Sequence, residues 1–213
     1  MKRICTVASV LFAVFIYGGH VFAGSEGNSN TFYGTNAGAG TAGDDDEDTF
    51  VGFDAGTSNA AGRANTFIGY RAGRNNTEGS GNTFLGSNAG VSNTTGSNNN
   101  FLGVAAGSSN TTGHDNTFIG VFSGLFNTTG SNNNFLGDNA GYNNTTGHDN
   151  TFLGTSAGNN NTTGDYNSFI GRAAGYSNTT GSGNVFLGYH TGSSNNGGIS
   201  NNFLGNYAGE SNT

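Results

Sequence analysis

The residues best suited to chemistry stand in one short run, Gly43-Asp44-Asp45-Asp46-Glu47-Asp48, in which five carboxylates follow one another. Ca²⁺ takes six to eight oxygen ligands, so Asp44, Asp45, Asp46, Glu47 and Asp48 are candidate metal ligands and Ca²⁺ the candidate cofactor. The GGxGxD signature of Ca²⁺-binding β-rolls is absent. Runs of like charge ordinarily repel and stay solvated, and a solvated acidic loop is the preferred reading. His114 and His148 recur in one context, GHDNTF, and six threonine pairs, from Thr94-Thr95 to Thr179-Thr180, recur in NTTG. No serine, carboxylate pair or histidine departs from its surroundings as a catalytic group in a pocket would, so no enzyme activity is expected.

What must position these groups is a repeat. Phe recurs at 32, 50, 67, 84, 101, 118, 135, 152, 169, 186 and 203, always 17 residues apart except for a first interval of 18. Counted from each Phe, Gly stands two and six places later in every copy, from Gly34 and Gly38 to Gly205 and Gly209. Glycine held in this way marks backbone that turns through positive φ or that another strand approaches closely. Only short strands fit between such corners. NTFLG is one and NTTG the other, and no segment carries a helical apolar period. The expected fold is all-β, a parallel β-solenoid (β-roll or β-helix) of eleven 17-residue coils stacked about 4.8 Å apart into a rod of roughly 50 Å. One coil cannot offset the entropy of ordering its own residues, so stability must come from stacking. On that spacing His114 and His148 lie about 9.6 Å apart, too far to share one metal ion, and are read as surface turn residues.

Three rows follow from the period. Phe67, Phe84, Phe101, Phe118, Phe135, Phe152, Phe169 and Phe186 form a core ladder. Asn stands two places before Phe (Asn82, Asn99, Asn116, Asn133, Asn150) and nine places after it (Asn93, Asn110, Asn127, Asn144, Asn161), with Asp48 replacing it once in the first row. Stacked identical amides can hydrogen-bond along the rod and hold its coils in step, a reading preferred over a carbohydrate-binding asparagine face. The place after Phe is apolar too: Ile68, Leu85, Leu102, Ile119, Leu136, Leu153, Ile170 and Leu187. Strand side chains alternate faces, so this row lies outside if Phe lies inside. Soluble monomers rarely leave so long a stripe bare, and a second copy of the chain is its expected cover.

The N-terminus reads separately. Lys2 and Arg3 precede an apolar run from Ile4 to Tyr17 and then Val21-Phe22-Ala23, the pattern of a secretory signal peptide over residues 1–23. The apolar run is too short for a membrane span. The chain is therefore expected outside the cell or on its surface, with residues 24–213 as the solenoid domain and no membrane insertion after cleavage. Cys5 leaves with the leader, and four arginines then face 13 Asp and Glu, a net charge of −9. Such acidity argues against nucleic acid as a partner. No plug or helix caps the repeats at Gly24-Ser25 or Asn212-Thr213, so head-to-tail stacking of subunits through these ends is expected.

The alternation of NTFLG or NTFIG with AG and NTTG over residues 30–213 resembles repeat arrays of bacterial surface and tail-fibre-like proteins. It is also similar to the head repeats of trimeric autotransporter adhesins. That resemblance implies a β-roll whose copies pack along an apolar row, here Leu85, Leu102, Ile119, Leu136, Leu153 and their equivalents, and whose head binds host matrix or other cells. The leading expectation is an exported structural protein that polymerises into an extracellular filament. The alternative is a surface adhesin for glycan or protein. Ice binding by the threonine ranks ranks lower, because adjacent strand residues face opposite ways and would leave one outward Thr per coil.

Overall fold

The computed structural model describes residues 21–22, 29–41 and 46–212. Strand β1 (Val21–Phe22) falls inside the expected leader and pairs antiparallel with β2 (Thr31–Tyr33). The rest of that leader lies outside the described residues, as do Gly24, Ser25, Asp44, Asp45 and Thr213. From β2 onward eleven strands run parallel in chain order, β3 at Thr49–Val51, β4 at Thr66–Ile68, and so on to β12 at Asn202–Leu204. Equivalent residues pair, Phe67 with Phe84 and Ile68 with Leu85, so the fold is an all-β parallel solenoid with no helix among the described residues.

Each coil has one strand of three residues, where two were expected. NTTG is a bend, although threonine favours strands. The asparagine that opens it overrides that preference: Asn93 Nδ2 donates to the Gly96 carbonyl at 2.9 Å and closes the chain on itself. Backbone bonds still join neighbouring coils here, as from Thr94 N to the Thr111 carbonyl at 2.9 Å.

The core is narrow. Phe50 through Phe186 are fully buried, and their rings stack in parallel at 4.7 to 5.1 Å with Phe32 and Phe203 at the two ends. Buried alanines five places after most of the Phe residues, such as Ala72 and Ala89, complete the apolar side, with buried Ser123 and Thr191 in that place after Phe118 and Phe186. Glycine one residue further is required twice over: Gly73 has φ of 56°, and a Cβ there would stand 2.5 Å from the Phe67 ring. Backbone also turns through positive φ four places after Phe, at Arg71, Ala105 and Phe122, and at Asn98, Asp115, Asn132 and Asp149 just before the buried asparagine of the next coil.

The other half of the interior is amide. The row nine places after Phe forms a continuous ladder, Asn110 Nδ2 donating to Asn93 Oδ1 at 2.7 Å and Asn127 Nδ2 to Asn110 Oδ1 at 2.8 Å. The row two places before Phe bonds mainly to backbone: Asn99 Oδ1 accepts the Asn116 N–H at 3.1 Å, and the Asn116 Nδ2 at the same distance, and Asn99 Nδ2 donates to the Gly113 carbonyl at 2.8 Å. That carbonyl also accepts Asn110 Nδ2 at 2.9 Å, so both rows converge on one oxygen in each coil. A Cβ at Gly113 would strike Asn110 Oδ1 and the next coil's carbonyl, which is why glycine stands there. Both side-chain N–H groups and the side-chain oxygen of Asn110 are thereby satisfied without water, as a buried amide requires.

Candidate functional site

The strands that turn Phe inward turn the next side chain outward. Ile68, Leu85, Ile119, Leu136, Ile170 and Leu187 are exposed, Leu85 at 46% and Leu136 at 38%, whereas Leu102 and Leu153 are half-buried. Strand pairing holds the row in line, Ile119 against Leu136 and Leu136 against Leu153. Two residues further along, exposed Phe53, Tyr70, Val104 and Val121 widen it toward the N-terminal half. A stripe about 50 Å long and 10 Å wide offers roughly 500 Å² per molecule, close to the lower bound for a specific interface between two copies.

At the C-terminal face the last described coil leaves Phe203 half-buried and Leu204 77% exposed, while Phe186 in the coil before is fully buried. Asn212 Nδ2 donates to Asn195 Oδ1 at 2.8 Å, so the amide ladder runs to this face.

The described part of the acidic run, Asp46 to Asp48, divides rather than converges. Asp46 is buried, its Oδ1 lying 3.4 Å from Arg63 Nε and its Oδ2 without a partner among the described residues. Glu47 is exposed, with φ of 57°. Asp48 lies inside the coil, in the place of the usual asparagine: its Oδ2 accepts Asn59 Nδ2 and its Oδ1 the Asn65 N–H, both at 2.8 Å. Burial pushes its carboxyl up to about 6, against the lowering effect of the Asn65 bonds and with a smaller upward push from Asp46. No group of three metal-ligating side chains occurs among the described residues.

His114 is exposed and His148 half-buried. His114 Nδ1 pairs with Asp115 Oδ2 at 2.8 Å, and His148 reaches Asp149 at 2.8 Å and, across to the next coil, Asp165 at 3.2 Å. The threonine pairs differ from expectation. Because NTTG bends, neither member points inward: Thr94 is half-buried with its hydroxyl donating to the Thr111 carbonyl at 3.0 Å, and Thr95 is exposed.

Asp48 takes the place in the asparagine row that its phase, two places before Phe50, assigns it, whereas the shared Gly113-type carbonyl has no signal in the sequence. Neither family models, curated proteins nor solved structures provide a match to this chain.

Proposed function

We propose that the chain is an exported structural subunit whose rods associate through the Ile68-to-Leu187 row and stack end to end into an extracellular filament. The carrying observation is the row itself: exposed branched side chains stand in strand register over the length of the rod on an otherwise polar, acidic molecule. Its burial is favourable by roughly 25 cal/mol per Å² of apolar surface, of which the lost freedom of association offsets a large part. End-to-end stacking draws on a different property. Coils of one design have complementary faces, so a terminal face offers the backbone groups, Phe ring face and amide ladder that each inner coil uses to receive its successor. Secretion fits the leader pattern of residues 1–23. Electron micrographs of the exported chain should show fibres with a 4.8 Å axial repeat; discrete rods one subunit long would contradict filament formation.

A further inference from the structure

Away from the apolar row, the rod carries a straight trough of about 910 Å³ that runs over six coils from Ser109 to Asn196. Its walls follow from the amide ladder. With Asn127, Asn144 and Asn161 turned inward, the residues on either side of them in sequence form the two banks. One bank holds Asn143, Asn160 and Ser177; the other holds Thr128, Thr145 and Thr162. The threonine hydroxyls donate to carbonyls of the following coil, Thr128 to Thr145 and Thr145 to Thr162 at 3.0 Å, so this bank adds mostly apolar surface. On the opposite bank Asn143 Nδ2 donates to Asn160 Oδ1 at 2.9 Å, leaving further amide and hydroxyl groups to face a ligand. Phe126, 43% exposed, stands on the same bank one coil after Ser109, with Tyr142 set edge-on to it at 5.2 Å.

We propose that this trough binds a neutral, extended, β-linked polysaccharide lying parallel to the rod, with about one sugar ring to each coil. Charge supports the class: no charged side chain lines the trough, although the chain carries 13 Asp and Glu. A polyanion would meet an acidic protein without a basic contact, and a basic ligand would find no carboxylate. Surface character supports it as well. A sugar ring presents C–H faces and hydroxyl edges, and the trough sets an apolar threonine bank beside an amide and hydroxyl bank that carries one aromatic ring, Phe126. Length supports an extended chain: five coil steps of about 4.8 Å give roughly 24 Å, comparable with a straight hexasaccharide. A peptide strand rises about 3.3 Å per residue and falls out of step with the coils. The walls are already locked by bonds between coils, so little ordering is lost on binding, and repeated contacts accumulate with ligand length.

Calorimetry on the exported chain tests this with cellohexaose, chitohexaose, cellobiose and maltohexaose. Cellohexaose or chitohexaose should bind at least tenfold more tightly than cellobiose, and than maltohexaose, whose α-linked chain curves. Ser177→Arg, and separately the pair Asn143→Leu and Asn160→Leu, should weaken binding at least tenfold with unchanged circular dichroism, while Ser87→Arg, outside the trough, should leave it intact. Silence with both β-linked hexamers at millimolar concentration overturns the proposal, as does equal binding of maltohexaose or full binding by Ser177→Arg. A change in sedimentation of Ser177→Arg without sugar would assign the trough to a second copy of the chain instead. Filament formation is read from the Leu row, so either proposal can fail while the other stands.

Discussion

Asn127→Ala removes one rung of the buried amide ladder, and its cost can be worked from the bonds it breaks. The wild-type side chain donates to Asn110 Oδ1 at 2.8 Å and to the Gly130 carbonyl at 3.0 Å, and accepts Asn144 Nδ2 at 2.8 Å. Gly130 keeps a donor, Asn116 Nδ2 at 2.9 Å, so its loss is small. Asn144 is left with a buried N–H and Asn110 with a buried oxygen, each costing about 1–3 kcal/mol when unmet. The vacated volume adds about 1 kcal/mol unless water fills it. The expected loss is about 4 kcal/mol, localised to the coils on either side because each coil touches only its neighbours. Urea titration by circular dichroism reads the total, and native-state hydrogen exchange at the Phe118 and Phe135 strands reads the location. Thr129→Ala, at an exposed neighbour, should stay within about 0.5 kcal/mol of wild type. A loss below about 1 kcal/mol for Asn127→Ala would refute the reasoning, showing that water replaces the amide and that the ladder does not hold the coils together.

Asp48 supplies a pH test. Its carboxyl is raised from 3.8 to about 6 by burial, so its favourable contribution is complete below pH 3.8 and is lost as pH rises through 6. Asp48→Asn should raise stability at pH 8 by on the order of 2 kcal/mol and flatten the slope between pH 4 and 7, measured by thermal melts across that range; an unchanged slope would remove Asp48 from the account. The variant can donate to the Gly62 carbonyl as other coils do, freeing Asn59 to meet the buried Thr41 hydroxyl that has no partner among the described residues. Gly141→Ala forces a side chain into φ of 57° and into the Phe135 ring, and should cost about 2–5 kcal/mol in urea titration. Ala105→Gly, at φ of 54° where no ring intrudes, should change stability by less than about 1 kcal/mol.

Much of this fold was legible because its period is written in single residues. Phe at every seventeenth place fixed the coil, and the alternation of faces around Phe135 placed Leu136 outside. The second strand was not legible, because threonine propensity at Thr94-Thr95 points to a strand while the Asn93 side chain bends the backbone. The left-handed turns four places after Phe were hidden by their occupants: Arg71, Ala105 and Phe122 do not announce positive φ as glycine does. Asp48 belongs by sequence both to the acidic run and to the asparagine row, and its position in the period, rather than its charge, decides its place in the core. The trough emerges only when the inward turn of Asn144 is set beside the outward turn of Asn143 and Thr145 in one coil after another.

Sedimentation of the exported chain with Leu102, Leu136 and Leu153 all replaced by Asp tests the assembly reading most directly. These positions lie on the outer face, so circular dichroism should keep the solenoid signature. Wild type should sediment as an assembly and the triple variant as a monomer, because three carboxylates would oppose one another across the shared stripe. An assembly of unchanged size in the folded triple variant would contradict association through this row.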